Sequence, residues 1–374
     1  MASPDRSTRH LMPGLYVHIP FCRAKCGYCD FASAPGTGEE IDAFLLALGR
    51  EASAYAGLAG KFNTLYVGGG TPSLLSPGQL EKLFSVISAL TGPLAGLTES
   101  TFEVNPESLD VEKTALLKKA GISRISLGLQ ASQDALLKRL GRVAMSGDFM
   151  KAFGLLRAAG FDNINADLMC GLPGQTPKDF ADSLEWLLKL EPQHVSFYAL
   201  EVHDGTPFSA DGVKEEPEEA ADMYEAGAAA LKLAGFQRYE ISNFARPGRE
   251  SAHNLNYWEQ GEYLGLGPAA ASYLAGERRA NTAVTAAYVA AALAGEAVPL
   301  QYRETLTGRK KDAERIMLGL RKTAGIELPD HIFIEFKEEV SRLTEAGLLE
   351  KSGSRIKIKE NRLYVSNAVF REFV

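Results

Sequence analysis

Short apolar runs alternate with longer amphipathic segments along the first two thirds of the chain. Strand-like runs begin with LYVHI at 15–19 and TLYVGGG at 64–70, and apolar residues recur at helical spacing over 39–57. The further predicted strands are 101–106, 124–129, 163–169, 194–200 and 238–242, and the further predicted helices are 77–91, 110–119 and 178–190. Strands that alternate with helices of this length form right-handed βα units around a parallel sheet. The pattern therefore predicts an α/β fold, and six or seven units suit a partial (β/α)6 TIM-like barrel better than a doubly wound sheet.

Gly-rich turns and polar residues follow several of the predicted strands. They are GGGTP at 68–72, EVNPE at 103–107, GLQ at 128–130 and GLPGQT at 171–176. In a βα barrel the functional residues lie where strands end and loops begin. We therefore expect these turns to line a site at one end of the barrel.

The alternation of short apolar runs and amphipathic segments ends near residue 300. Two predicted helices and a β-hairpin follow there, in the order of a winged-helix module. We expect a flexible N-terminus at 1–13, a core barrel at 14–248, a connecting segment at 249–300 and a C-terminal winged-helix-like domain at 301–374. The last of these holds 15 Lys and Arg against 12 Asp and Glu. Since nucleic-acid binding needs clustered basic residues, this balance favours a structural or partner-docking module.

The composition is that of an ordinary globular protein, with 45% hydrophobic and 23% charged residues. The net charge of −7 argues against nucleic acid as a main partner. No apolar run approaches the roughly 18–20 residues needed to span a bilayer. The first thirteen residues contain no apolar stretch of the kind that directs secretion. We therefore expect a cytoplasmic protein that is not a membrane protein.

Three of the four cysteines fall in the segment FCRAKCGYCDF at 21–31. Cys22, Cys26 and Cys29 have the spacing C-x3-C-x2-C and follow the first predicted strand. Thiolates are the usual ligands of iron–sulfur clusters, and three of them would leave one iron of a [4Fe–4S] cluster open to a small molecule. The alternative is a zinc site with His18 as the fourth ligand, although this spacing does not suit the paired knuckles of structural zinc sites.

The stretch C-x3-C-x-Y-C after a strand, at the start of a repeating βα chain, resembles the radical S-adenosylmethionine (SAM) superfamily. The resemblance implies that the open iron chelates the amino and carboxylate groups of SAM, which an electron from the cluster cleaves to a 5′-deoxyadenosyl radical. The glycines at 68–70 then resemble the SAM-binding glycine motif of that superfamily, although a plain βα turn is the alternative.

The match extends to a narrower group. The segments YVHIPFC, CGYCDF, GGGTPS, FEVNPES, SLGLQ, LGR, DLMCGLPGQT and SNFARPG lie within 15–248 and resemble the HemN/HemW group. Its members include an oxygen-independent coproporphyrinogen III dehydrogenase and heme chaperones. By motif position, the resemblance implies SAM contacts at Tyr16, Tyr28, Gly69, Gly70, Thr71, Glu103, Gln130, Arg142, Asp167 and Ala199.

Two features separate the branches of this group. The dehydrogenase has a further cysteine two positions after its cluster triad, and this chain has Phe31 there, as HemW-like proteins do. HemW-like proteins also carry an H-N-x-x-Y-W motif, which is present here as HNLNYW at 253–258. Imidazole is a common axial ligand of heme iron, so we expect His253 to bind heme, with Tyr257 and Trp258 packed on the porphyrin. The alternative is a hydrogen-bonded core histidine.

The leading hypothesis is a heme chaperone that holds a [4Fe–4S] cluster, SAM and heme. It would deliver heme to an apo-hemoprotein, which could lie at a membrane, and take electrons from a donor such as a flavodoxin. It need have no turnover of its own beyond SAM cleavage. The alternative is oxidative decarboxylation of coproporphyrinogen III, while the charge balance disfavours a cluster-bearing regulator. We expect Cys170 to be a small buried hydrophobic residue; a fourth cluster ligand is the alternative.

Overall fold

The computed structural model describes residues 12–373, so most of the predicted flexible N-terminus lies outside the described residues. A large sheet in the order β12-β11-β10-β9-β1-β2-β3-β4-β5-β6-β8-β7 dominates the fold, and a small one has the order β13-β15-β14. The strands are β1 (Gly14–Ile19), β2 (Thr64–Gly69), β3 (Glu99–Val104), β4 (Arg124–Gln130), β5 (Ile164–Cys170), β6 (His194–Ala199), β7 (Gln237–Arg238), β8 (Asn243–Ala245), β9 (Tyr263–Leu266), β10 (Ala271–Leu274), β11 (Glu277–Asn281), β12 (Leu300–Thr305), β13 (Ile326–Glu327), β14 (Leu349–Ser352) and β15 (Arg355–Ile358). The helices are α1 (Gly38–Ala54), α2 (Pro77–Thr91), α3 (Val111–Ala120), α4 (Asp134–Arg139), α5 (Ser146–Ala158), α6 (Pro177–Leu188), α7 (Pro207–Ala210), α8 (Pro217–Leu233), α9 (Ala252–Trp258), α10 (Thr285–Ala294), α11 (Gly308–Gly319), α12 (Asp330–Glu335), α13 (Lys337–Glu345) and α14 (Ser366–Phe370).

Strands β1 to β6 are parallel neighbours in chain order, which confirms the predicted (β/α)6 barrel core. Their apolar residues alternate along each strand and pack under helices on the outside. In β4, for example, Ile125 and Leu127 are fully buried in the main core. The intervening residues face the inside of the barrel, where the strands present mainly polar side chains. This division leaves a polar interior that can hold a ligand.

The predicted strand at 238–242 is wrong in detail, because the chain turns there. Two short strands, β7 and β8, flank the turn, and β8 pairs antiparallel with β6. Within the turn, the Glu240 carboxylate accepts a hydrogen bond of 2.8 Å from the Ser242 backbone N–H, and Arg238 donates to the Ile241 carbonyl. These local side-chain bonds replace the ladder that a continuous strand would form.

Within residues 249–300, the expected connecting segment, strands β9 to β11 continue the large sheet. Strand β9 lies parallel to the free edge of β1, with Leu264 opposite Leu15, and β10 to β12 extend the sheet as antiparallel strands. Glu51 of α1 fixes this extension, because its buried carboxylate accepts hydrogen bonds from Gly267 N–H (2.8 Å), Asn281 Nδ2 (2.6 Å) and the Tyr288 hydroxyl (2.6 Å).

The C-terminal region has a separate apolar core that includes Ile316, Phe336 and Ile356. Its element order, α11, β13, α12, α13, β14 and β15, is that of a winged helix, while residues 301–305 of the expected domain belong to β12 of the large sheet. The second predicted helix is interrupted at Phe336, whose fully buried ring lies between α12 and α13. No helix within 12–373 is long and apolar enough to cross a bilayer.

Candidate functional site

The cysteine loop leaves the carboxyl end of β1 and folds over the mouth of the barrel. The Gly27 N–H donates to the Leu140 carbonyl at 2.9 Å, and the Cys22 N–H donates to the Ala34 carbonyl at 3.1 Å. These two hydrogen bonds hold the loop at both sides. All three sulfur-bearing residues line one cavity of about 500 Å³, with Cys22 buried and Cys26 and Cys29 half-buried. Three thiols at the edge of an open cavity fit a cluster with one iron free for a ligand.

His18 is not placed to complete a zinc site. Its Nδ1 is hydrogen bonded to the Tyr16 hydroxyl at 2.9 Å, and its Nε2 to the Ala32 carbonyl at 3.0 Å. Within residues 12–373, no group of three or more Cys, His, Asp or Glu side chains is arranged around a single metal position. An iron–sulfur cubane binds its thiolates through different irons, so it does not need the three sulfurs gathered around one metal position.

Burial raises the pKa of the Cys26 and Cys29 thiols. The Arg142 guanidinium opposes this effect at Cys26, and a backbone hydrogen bond from Phe31 opposes it at Cys29. These donors offset only part of the effect of burial, so both thiols lose their protons less readily than a free cysteine.

The glycine motif forms the wall beside the start of the cysteine loop, where the Thr71 N–H donates to the Phe21 carbonyl at 2.7 Å. The Gly69 N–H donates to Glu103 Oε2 at 3.1 Å, and the Tyr66 hydroxyl donates to Glu103 Oε1 at 2.7 Å. A Cβ at Gly70 would lie 2.5 Å from the Phe21 carbonyl oxygen, so only glycine fits between β2 and the start of the cysteine loop. Burial raises the pKa of Glu103 to about 7.

All the sequence-predicted SAM contacts except Tyr16 line this same cavity. Arg142 Nη2 donates to the Gly128 carbonyl at 3.0 Å, and Asp167 accepts from Asn165 Nδ2 at 2.8 Å. Gln130 has a φ of +72° at the end of β4, which turns its side chain at the mouth of the barrel. The geometry thus gathers backbone donors, carboxylates and a guanidinium around the thiols.

Two residues that the sequence reasoning did not name belong to this wall. Tyr66 faces the interior because β2 alternates, and Asn105 Nδ2 donates to Thr71 Oγ1 at 3.0 Å. Asn105 belongs to the EVNPE turn, which the sequence already marked as part of the site. Tyr66 could have been found only from the alternation of inward-facing and outward-facing side chains along β2.

Cys170 does not reach the cavity. It is fully buried, its sulfur lies 3.6 Å from the Tyr198 carbonyl and 3.7 Å from the Ala220 carbonyl, and burial raises its pKa to about 12. These surroundings fit the small buried hydrophobic residue expected, rather than a fourth cluster ligand.

A second cavity of about 640 Å³ lies on the other side of the cysteine loop. Asp30 and Phe31 line both cavities, and Phe31 is 57% exposed. The aromatic side chains of this second cavity are Tyr16, Phe31, Tyr257, Trp258 and Tyr263. It therefore offers a wide apolar surface next to the cluster loop.

His253, the predicted heme ligand, has both ring nitrogens hydrogen bonded inside the protein. The ring is fully buried, with Nδ1 hydrogen bonded to Thr64 Oγ1 at 2.8 Å and Nε2 to the Tyr257 hydroxyl at 2.8 Å. Burial, reinforced by Arg124, lowers the pKa of His253 to about 3. Because both ring nitrogens are engaged, His253 cannot ligate heme iron in this conformation, whereas Tyr257 and Trp258 do reach the second cavity.

The chain is similar to known proteins over nearly its whole length. Residues 16–187 match the family model of the radical SAM superfamily. The heme chaperone HemW of Bacillus subtilis is 36% identical over 97% of this chain and 99% of that protein, and HemW of Lactococcus lactis is 38% identical over 96% of each. The structure of coproporphyrinogen III oxidase (HemN) from Escherichia coli, a radical SAM enzyme, has a TM-score of 0.83 at 25% identity and covers 97% of this chain and 90% of that one. The chain therefore belongs to the HemW family within the radical SAM superfamily.

Proposed function

We propose that this protein is a heme chaperone that holds a [4Fe–4S] cluster and SAM in the first cavity and heme in the second. It passes heme to an apo-hemoprotein, receives electrons from a donor such as a flavodoxin, and works in the cytoplasm. When bound, the cluster supplies an electron for reductive cleavage of SAM. Cys22, Cys26 and Cys29 would hold the cluster, and the glycine motif with Glu103 would orient SAM beside it.

The aromatic second cavity is the observation that carries this proposal. A porphyrin is a flat apolar ring, and aromatic side chains stack on such rings with favourable energy. Tyr257 and Trp258 line that cavity together with Phe31, which adjoins the cysteine loop. The heme would therefore lie against the loop that carries the cluster ligands, so that loading of one site affects the other.

Phe31 also bears on the choice between chaperone and dehydrogenase. Its side chain borders both cavities and is 57% exposed, so a ligand in the second cavity would bury apolar surface there. Heme in the second cavity would cover this ring. The relatives at 36–38% identity are named heme chaperones, while the likeness to the oxidase structure has lower identity.

The assignment of heme to this cavity is tested by replacing one tryptophan. Trp258→Leu should weaken heme binding about five- to tenfold, because an aromatic contact contributes roughly 1 kcal/mol. Trp186→Leu is the matched control, since Trp186 is the other tryptophan of the chain and packs on Phe149, away from both cavities. Heme titration followed by the Soret band gives both affinities.

If the wild type and Trp258→Leu bind heme with equal affinity, the assignment of heme to the second cavity is wrong. The enzymatic alternative has its own test, in which the reconstituted protein, SAM and a reductant are incubated with coproporphyrinogen III. We expect no protoporphyrinogen, and its formation would establish the dehydrogenase function instead.

A further inference from the structure

The first cavity extends below the SAM contacts to the amino ends of the strands. Four alternate residues of β4 line it: Arg124, Ser126, Gly128 and Gln130. Since a strand rises about 3.3 Å per residue, the Cα atoms of Arg124 and Gln130 lie roughly 20 Å apart along the barrel. Arg124 therefore stands at the floor of the cavity, while the glycine motif and the cysteine loop are at its mouth.

Arg124 is a buried cation whose hydrogen-bond donors are not all paired within residues 12–373. The residue is 2% exposed, it borders the cavity, and its Nε finds no partner within residues 12–373. Burial disfavours its charge, and Glu99 provides the largest opposing attraction. A buried guanidinium normally forms several hydrogen bonds, because a buried N–H group without an acceptor costs free energy.

The neighbouring carboxylates use their oxygens for other donors. Glu99 Oε1 accepts from Thr101 Oγ1 (3.1 Å), Ser251 Oγ (3.0 Å) and His253 N–H (3.2 Å), and its Oε2 accepts from Ala252 N–H (2.8 Å). Asp167 accepts from Asn165 Nδ2 at 2.8 Å and from Ser126 Oγ at 3.4 Å. Glu99 thus balances the charge of Arg124 at a distance, while the hydrogen-bonding capacity of the guanidinium remains for a ligand.

A second guanidinium borders the same cavity from the C-terminal region. Arg321 stacks on the Trp258 ring, with its Cζ 4.5 Å from the ring centroid, and its Nε is buried without a partner within the described chain. Asn243 and Asn254 also line this part of the cavity. The floor therefore combines cationic and amide donors contributed by the barrel, by β8, by α9 and by the C-terminal region.

We propose that this floor is a subsite for the carboxylate of a small organic acid that binds beside SAM. A carboxylate accepts two parallel hydrogen bonds from a guanidinium. A phosphate dianion would bring a second charge close to Glu99 and Asp167, so it is disfavoured. SAM is expected at the other end of the cavity, so the carboxylate belongs to another molecule. The subsite does not depend on heme binding and goes beyond the proposed chaperone function.

The subsite is tested with propionate and glutarate as probes on the cluster-loaded protein, by calorimetric titration with and without saturating SAM. Arg124→Gln should weaken binding at least about tenfold, because it removes a charge-assisted hydrogen bond to a carboxylate. Arg124→Lys keeps the charge but loses the paired geometry, so it should weaken binding less. Arg50→Gln, an exposed arginine of α1 outside the cavity, should change nothing.

Thermal unfolding of each variant distinguishes a lost subsite from a lost fold. If Arg124→Gln does not fold, Arg124→Lys and Arg321→Gln serve as the test, and both should weaken binding of the probes. Binding of neither acid to the wild type, affinities unaffected by these variants, equal binding of chloride, or displacement of the acids by SAM would each overturn the proposal. Unchanged heme affinity in Trp258→Leu would overturn the placement of heme but not the carboxylate subsite, because the acid titrations contain no heme, so the two proposals can fail separately.

Discussion

His253 Nε2 and the Tyr257 hydroxyl, one turn apart on α9, are joined by a hydrogen bond of 2.8 Å in the interior of the protein. The His253 ring also packs on Tyr66, with ring centroids 5.5 Å apart, and Tyr66 donates to Glu103 at the SAM side. A direct chain of contacts thus leads from the wall of the aromatic cavity to the wall of the first cavity. The motif that seemed to offer a heme ligand instead fixes the position of an aromatic wall.

This arrangement gives a prediction for the motif histidine. His253→Gln should leave the Soret maximum of bound heme in place, because the imidazole does not reach the cavity. It should lower the free energy of unfolding by about 1–3 kcal/mol, since buried partners on Thr64 and Tyr257 lose well-placed hydrogen bonds. Absorption spectra of the heme complex and denaturant unfolding provide the measurements. A shifted Soret maximum with unchanged stability would mean that the imidazole rotates out to bind iron.

The cysteine loop predicts an all-or-none loss of the cluster. Cys22→Ser, Cys26→Ser or Cys29→Ser should each abolish the iron–sulfur absorption, because each removes one of three thiolate ligands. Cys170→Ser is the control and should keep the cluster, since this thiol is fully buried away from the cavity. Iron and sulfide analysis after anaerobic reconstitution decides the matter. A full complement of about four irons in any of the three loop variants would refute the assignment.

Glu103 should make SAM binding depend on pH. Burial raises its pKa from 4.5 to about 7, so the carboxylate that can accept from the SAM amino group is lost as the pH falls below 7. The apparent dissociation constant for SAM should then rise up to about tenfold per pH unit. Titrations of SAM between pH 5.5 and 8.5 measure this dependence. Glu103→Gln should bind SAM more weakly, and its affinity should not change with pH in the same way.

The raised pKa of Glu103 also makes the free energy of unfolding depend on pH. Between pH 4.5 and about 7 the folded protein holds a proton on Glu103 that the unfolded chain has released. Its contribution to the free energy of unfolding therefore decreases as the pH rises through this window. In Glu103→Gln that decrease should disappear; an identical pH profile for both proteins would contradict the raised pKa.

Close packing at the glycine motif predicts a strong effect of one methyl group. Gly70→Ala should impair cluster loading and SAM binding, because the new Cβ would lie 2.5 Å from the Phe21 carbonyl and push the cysteine loop aside. Gly78→Ala is the control, since its Cβ meets nothing within 4 Å in α2. We expect Gly78→Ala to be neutral or to stabilise the helix by up to about 1 kcal/mol. Similar cluster content in both variants would show that the loop tolerates the displacement.

The barrel core could be predicted from sequence because its parallel strands are short apolar runs between amphipathic helices. The helix predicted at 77–91 coincides with α2, whose Ser76 and Gln79 form a capping box. The cysteine loop and the glycine motif were equally accessible, since each follows directly on a strand. Such features depend on residues close in sequence.

The remaining features depend on partners far apart in the chain. Thr64 engages His253 from the second strand, and Glu51 of α1 binds Asn281, so neither contact has a local signal. Strand β9 has only four residues and could not be recognised as a neighbour of β1 from its own pattern. For the same reason, the sequence could not show that Tyr16 borders the aromatic cavity rather than the SAM side.

The pairing of β1 with β9 has a consequence during synthesis. Residues 14–19 leave the ribosome early, but their second edge stays unpaired until residues 263–266 have been made. The cysteine loop follows β1 directly, so the strand that carries it gains its second partner only after most of the chain has been translated. Domains fold as units during synthesis, and sheet closure by distant strands is slow. We therefore expect a ribosome-bound fragment that stops before β9 to retain less iron than the full chain.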